Sequence, residues 1–414
     1  MANPDVIVIG AGIVGVCSAL CLQREGLRVT IITRDAPGEA CSFGNSGGIG
    51  GGVSIAPLSL PGIAGKAPKM LLDPKHPLSV RWGYFPAMIP WFLRFARSSA
   101  RDRVEQISDA RASLFAVGTE SFAPLLEAAG ATDMVRNTGS LNVYESRESM
   151  VLAGVGREYA RQRGVVFEEI DGDEARRLNP ILGPKVACAV FFPDHAQTIN
   201  PHRLVQVLAQ RFTADGGALV SDHVTGFSFA ADGTPSVRTR GGEYGAATVV
   251  IAAGVWSKAL ARMLGTRVSL EAQRGYHVML PDPGVDARLM TTLADRNLVM
   301  SPMEHGLRIT GIAEFAHPDA PPNYAHADRI LAQAAEMVPG LNTEGGTRWM
   351  GPRPATPDSL PVIGRAPHHE KVVFAFGHGQ NGLQMGAITG KLVAELVAGR
   401  PPSVDLAPFR PDRF

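Results

Sequence analysis

The chain has 414 residues, of which 45% are hydrophobic and 19% charged, and its formal net charge is +1. That length allows two or three domains, the composition is ordinary for a globular protein, and the balanced charge argues against nucleic acid as a partner. It lacks a run of 18 uncharged apolar residues to span a bilayer, and a strand begins within about five residues of Met1, so neither a membrane span nor a cleaved signal peptide is expected.

In chain order, Val6, Ile7, Val8 and Ile9 read as a buried strand that breaks into Gly10-Ala11-Gly12-Ile13-Val14-Gly15, the G-x-G-x-x-G spacing of a dinucleotide site. Gly10 permits a tight turn, Gly12 lets backbone N–H groups approach a pyrophosphate, and Gly15 lets the next helix lie close on the sheet. That helix spans about Ile13 to Glu25, is apolar almost all round and ends at Gly26. A second strand, Arg28 to Thr33, completes a β-α-β unit; the competing reading is a glycine-rich turn in an unrelated α/β sheet. Cys17 and Cys21 lie one turn apart in the helix with no matching Cys/His pair, so they read as core residues and no metal is expected. Unpaired cysteines point to a reducing compartment, most simply the cytoplasm.

Residues 36–65 are rich in Gly, Ser and Pro, and the cluster from Cys41 to Gly52 reads as backbone packed against a flat ligand rather than a linker. Trp82 to Phe95 is dense in aromatics: either a core corner beneath a helical domain, or a patch for a membrane surface or partner. Helical spacing follows over 103–129, a strand near Thr138–Glu145, and helices near Ser149–Arg163 and Asp173–Leu178. Asn200-Pro201 is a helix start with a capping side chain and proline at the first position, and that helix runs to about Thr213.

Residues 218–254 read as an antiparallel meander turning at Asp232-Gly233 and Gly241-Gly242, then a buried strand from Thr248 that ends at Gly254. Strands recur over Arg267–Leu280 and Leu307–Glu314, with a helix at Asp328–Glu336. The end of the chain reads as a loop (Gly351–Gly364), a strand (Lys371–Phe376), a glycine turn (Gly377–Gly382) and a long amphipathic helix stopping at Gly399. Gly377-His378-Gly379-Gln380-Asn381-Gly382 repeats the glycine spacing. Read alone it would suggest a nicotinamide site, but a Rossmann unit needs another strand after its helix. The better reading is a helix whose positive end faces an anionic group such as a reduced isoalloxazine.

Five stretches together resemble the D-amino-acid oxidase-like superfamily of FAD enzymes, in particular the small-subunit type of bacterial D-amino-acid dehydrogenase. They are Val8–Ala19, Ser42–Ile49, Arg274-Gly275-Tyr276, Met350–Gly364 and Gly377–Gly382 with its helix. The resemblance implies an α/β fold: a Rossmann-like FAD-binding domain of glutathione-reductase type (1–80, 160–258 and 345–414) and an inserted mixed-sheet substrate domain (81–159 and 259–344). It implies that Gly10, Gly12, Ile13, Val14 and Gly15 bind the pyrophosphate, and that Ser42, Asn45, Ser46, Gly47 and Gly48 line pyrophosphate and flavin. Thr33, Arg34, Val224, Ala253, Gly254 and Trp256 would lie along the nucleotide, and Gly379, Gln380, Asn381, Gly382 and Leu383 would cap the flavin pyrimidine.

Arg353 matches the arginine that binds the substrate carboxylate in this superfamily, which a guanidinium fork does through two parallel bonds. Tyr276 either adds a bond to the carboxylate or closes the pocket, against plain packing, and His378 is a flavin-loop residue more than a base. Two departures stand out. Thr33 occupies the usual acidic position for the adenosine ribose, with Asp35 as the alternative, and the Trp349–Asp358 loop has no cysteine to anchor flavin, so the FAD is expected to be non-covalent. The resemblance implies hydride transfer from a D-amino acid or cyclic D-imino acid to flavin N5. Electrons would pass to a quinone or other carrier, with peripheral contact at the inner membrane as one arrangement. A 2-hydroxyacid dehydrogenase with His378 or His277 as base and a glycine/sarcosine-type oxidase are the alternatives, beside a non-catalytic flavoprotein subunit.

Overall fold

The computed structural model describes residues 3–50, 55–63, 65, 69–70 and 76–414; Gly51 and Gly52 of the glycine cluster lie outside the described residues. A six-stranded sheet runs through Ala218–Ser221, Val29–Thr33, Val6–Ile9, Thr248–Ile251, His369–Phe376 and Val362–Ala366, in that spatial order. The first five are parallel and Val362–Ala366 joins antiparallel. All four residues of Val6–Ile9 are buried, as a parallel strand covered on both faces requires.

One face is covered by the first helix, Ile13–Arg24, and the terminal helix, Gly382–Val397. They lie unusually close: a side chain at Gly390 would come within 2.7 Å of the Cys17 backbone, and one at Gly386 within 2.9 Å of Ile13. Cys17 is fully buried in this core, and all four cysteines are free. Among the described residues no group of His, Cys, Asp or Glu could hold a metal. The capping expected at Asn200 is present, its side chain accepting from the Arg203 N–H at the start of Pro201–Ala214. The meander is Val224–Phe229, Pro235–Thr239 and Glu243–Gly245.

A second sheet of nine strands has Thr347–Ala355 at one edge, then Glu271–Leu280, Gly306–Phe315, Leu298–Met303 and Met290–Leu293, and continues through Ser140–Tyr144 and Cys188–Phe192 to Glu168–Asp171, with Leu78–Val80 pairing the end of Gly306–Phe315 off that path. Strands Glu168–Asp171 and Cys188–Phe192, assigned from sequence to the nucleotide segment 160–258, belong to the second sheet, as does Thr347–Ala355 from 345–414. Conversely, Phe122, Leu125 and Leu126 of helix Arg101–Ala129 are buried with the first helix, although they fall in the 81–159 segment. Which sheet a strand joins depends on non-local pairing that local hydrophobic periodicity does not carry.

Of the expected loop Gly351–Gly364, 356–361 are loop, Val362 opens the strand Val362–Ala366, and Gly351–Ala355 are instead the end of the edge strand. Pro352 and Pro354 hid it; a proline cannot donate to a ladder and is tolerated on an edge. The aromatic stretch forms a core corner at helix Phe85–Arg97. Met88 and Trp91 are buried against Phe315 and Ala355, while Trp82, Ile89 and Leu93 are exposed. No helix among the described residues is long and apolar enough to cross a membrane.

Candidate functional site

A cavity of about 850 Å³ opens along the carboxyl ends of the parallel strands and beneath the second sheet, where open α/β sheets bind ligands. The turn after Val6–Ile9 forms one wall. Gly10 has φ +107°, and a side chain there would sit 2.6 Å from the Ala252 carbonyl oxygen. Gly12, Ile13 and Val14 line the cavity. The Ile13 N–H donates to Ser42 Oγ at 3.1 Å, leaving the serine proton free for a ligand. Gly15 does not reach the cavity; a side chain there would overlap the Gly10 carbonyl, so its role is the close approach of helix to turn.

At the end beside Val29–Thr33, the lining comprises Thr33, Arg34 and Asp35 with Val224, Ala253, Gly254 and Trp256. The Thr33 hydroxyl donates to the Asp35 carbonyl at 2.9 Å, Arg34 pairs with Asp35 at 2.8 Å, and the Arg34 guanidinium lies 4.5 Å over the Trp256 ring. Ser42, Asn45, Ser46 and Gly48 also line the cavity, but Gly47 does not: its φ of +90° brings it against the Thr198 carbonyl. This loop is held from behind by Arg308, whose Nη1 donates to the carbonyls of Phe43 at 3.0 Å and Asn45 at 2.6 Å. Burial pushes the Arg308 pKa down to about 10.

Gly379, Gln380, Asn381, Gly382 and Leu383 also line the cavity, at the start of the terminal helix. Asn381 does not cap that helix; its amide donates to Gln384 at 2.6 Å and its carbonyl accepts from Arg111 at 3.0 Å. The positive helix end therefore faces the cavity without a side-chain cap. His378 lines the cavity too, but its Nε2 is 2.9 Å from Thr389 Oγ1, and burial pushes its pKa down to about 3.

Arg353 lies on the edge strand and lines the same cavity. Its Nη1 donates to the Ile312 carbonyl at 3.4 Å, and no carboxylate among the described residues pairs with it. Partial burial lowers its pKa. Cys41, also in the lining, directs its thiol to the Pro352 carbonyl, and burial raises its pKa to about 12.

Tyr276, expected at the carboxylate or pocket mouth, lies outside the cavity. Its hydroxyl donates to Glu314 at 2.6 Å and accepts from the Asn323 N–H at 3.0 Å. Burial, then the Glu314 bond, raises its pKa to about 12. The residue is committed to an internal network, and the packing alternative describes it. His277 is likewise outside, stacked on Trp349 with ring centroids 4.9 Å apart. Sequence reading missed His195: it lines the cavity, is 2% exposed, has no partner for Nδ1 among the described residues, and is held neutral by burial with a pKa of about 4. Its neighbouring strand Ala196–Thr198 pairs with Gly48–Ile49, a contact across about 150 residues that no local motif announces.

The donor set fits a flavin dinucleotide: two glycine turns at helix starts lining one cavity, a serine hydroxyl at the first of them with its proton left over, and a glycine backbone that a Cβ would obstruct. The chain is 36% identical to a D-amino-acid oxidase of Bradyrhizobium diazoefficiens, over 99% of this chain and 98% of the relative. It is 31% identical to a D-amino acid dehydrogenase of Paramagnetospirillum magneticum, over 99% and 98%. Its fold matches glycine oxidase from Geobacillus kaustophilus with a TM-score of 0.76 at 22% identity, covering all of both chains. It also matches L-proline dehydrogenase from P. horikoshii with a TM-score of 0.73 at 21% identity, covering 100% and 98%. The family model described as FAD dependent oxidoreductase matches residues 5–396, so the chain belongs to that family and is an FAD enzyme.

Proposed function

We propose that this enzyme catalyses the oxidative deamination of a D-amino acid or cyclic D-imino acid of the proline type. The observation that carries the reading is Arg353: a partly buried guanidinium with no carboxylate partner among the described residues, in the cavity shared with both glycine turns. An α-carboxylate supplies the missing charge and matches the fork with two parallel bonds. Two named relatives, a D-amino-acid oxidase and a D-amino acid dehydrogenase, support the D-amino acid class.

With the carboxylate held by Arg353, the α C–H is oriented and the neutral amine drives its departure, so positioning carries the rate without a dedicated base. Trp91, Phe92 and Phe95 in the lining exclude water from that compartment. When bound, FAD accepts the hydride; we infer that it is held non-covalently and passes its electrons to a quinone or other carrier. The 2-hydroxyacid alternative wants a histidine base, and neither histidine expected for it suits: burial pushes the His378 pKa down to about 3, which makes it a weak base, and its Nε2 is tied to Thr389, while His277 is outside the cavity. Peripheral membrane contact, where the acceptor demands it, would use the outer face of Phe85–Arg97 with exposed Trp82, Ile89 and Leu93.

Anaerobic bleaching of the yellow protein by D-amino acids, L-amino acids, D-proline, sarcosine and 2-hydroxyacids tests the substrate. Bleaching by D-amino or D-imino acids is expected; bleaching by 2-hydroxyacids alone would overturn the reading. Flavin reoxidation in air against reoxidation by a soluble quinone tests the acceptor, with the quinone faster.

A further inference from the structure

Two strands of the second sheet fall out of register beside Arg353. Tyr276 pairs with Gly311 and Arg274 with Glu314, so Ile312 and Ala313 on one strand oppose Gly275 alone on the other. This is a β-bulge. The first bulged residue, Ile312, has φ +63°, a left-handed conformation that a β-branched residue adopts at a cost and that glycine would adopt freely. Such strain persists where surrounding contacts over-determine it, and it clusters at functional sites.

Contacts here do over-determine it. The Ile312 side chain is buried in the same apolar cluster as Tyr276 and Leu298. Glu314, one residue beyond the bulge, accepts from Arg81 at 3.0 Å and Tyr276 at 2.6 Å, and lies 3.3 Å from Arg274. Both flanks are thus tied down. What the bulge produces is a niche. The Ile312 carbonyl points at Arg353 Nη1, and the guanidinium lies over Gly275 so closely that a Cβ there would overlap Nη2 and Cζ.

We propose that Gly275 and Ile312 are positioning residues that aim Arg353 into the cavity: the glycine vacates the space the guanidinium fills, and the strained isoleucine turns its carbonyl onto one N–H. The remaining N–H groups are left for the ligand. Tyr276 belongs to this device as a brace of the bulge. The inference rests on the carboxylate role of Arg353 proposed above.

The test uses holoenzyme, with benzoate as a carboxylate that has no α-hydrogen to lose, its Kd read from the flavin spectrum, together with KM and kcat for the amino acid turned over fastest. Arg353→Lys tests the underlying reading: if it leaves Kd and KM within twofold of the parent, the carboxylate site itself is wrong. If it weakens both by tenfold or more, the niche is decided by Gly275→Ala, which adds one methyl against the guanidinium. Expected is a fivefold or greater rise in benzoate Kd and KM with smaller change in kcat and the FAD content retained. Because both changes act through one group, the Gly275→Ala/Arg353→Lys double variant should bind benzoate within twofold of the weaker single variant. Gly275→Ala binding benzoate as the parent does would overturn the niche alone. Should that variant yield no holoenzyme, Ile312→Gly decides in its place: a threefold or greater rise in Kd upholds the niche, and an unchanged Kd removes it.

Discussion

The two glycine turns, Gly10–Gly15 and Gly377–Gly382, share one spacing and use it differently. In the first, the third glycine is compelled by packing: a Cβ at Gly15 would overlap the Gly10 carbonyl. In the second, a Cβ at Gly382 would meet only the His378 side chain, at an ordinary 3.6 Å. The second glycines also differ. Gly12 has no positive φ and caps a helix, whereas Gly379 has φ +56° with nothing within 4 Å of its missing side chain. One turn is a tight weld of helix to strand; the other is a backbone conformation opening a helix start toward a ligand. The same letters therefore predict different mutational costs.

Gly15→Ala should be the most damaging change. Relieving the overlap requires the first helix to move off the turn, and overpacking of this kind costs about 3 kcal/mol or more. The measurement is soluble yield and flavin content, and both should collapse. A folded, yellow Gly15→Ala protein would erase the contrast between the turns.

Acid should weaken the second turn through His378. Its pKa is about 3 in the folded chain, against an ordinary value near 6.5, because burial disfavours the charged ring. The unfolded chain therefore binds the extra proton first. The contribution is fully present above pH 6.5 and is lost as pH falls toward 3, with a limiting slope of about 1.4 kcal/mol per pH unit. His195 and His277 act in the same direction, with pKa values of about 4 and about 3. Thermal midpoints between pH 4.5 and 7.5 should fall on the acid side, and His378→Asn should flatten that dependence by one proton's share. Identical profiles would show that the ring is not neutral in the fold.

Gly379→Ala should cost about 1 kcal/mol, the strain of an L-residue in left-handed backbone with no clash added. Equilibrium denaturation of the apo chain reads it directly. A loss several times larger would mean that this turn is also compelled by packing.

Much of this was legible because it is local. The first strand, the glycine turn and the Asn200 cap each sit within a few residues, and apolar runs bounded by Gly or Asn-Pro identify them. Arg353 was legible only through family resemblance, since two flanking prolines disguised its strand as a loop. His195 and the Ile312 bulge were not legible at all. One depends on Gly48 lying beside a strand about 150 residues later, the other on a register shift between strands whose partners no periodicity specifies. The choice for Tyr276 between the carboxylate and plain packing stayed open for the same reason, because a side chain's face on a bulged strand changes with the register.

The smallest effect is the sharpest probe of the comparison. Gly382 begins the terminal helix without a positive φ, and its missing Cβ faces only an ordinary contact with His378. Alanine is the better helix former by up to about 1 kcal/mol, so Gly382→Ala should leave the apo protein as stable as the parent or slightly more so. Yet Gly382 lines the cavity, and an added methyl there stands where the cofactor would approach the helix start. If the turn serves the ligand rather than the fold, FAD titration of the apo variant should show weaker binding while its thermal midpoint holds or rises. If instead both quantities are unchanged, the cofactor keeps clear of this helix start, and the second turn owes its glycines to backbone conformation alone.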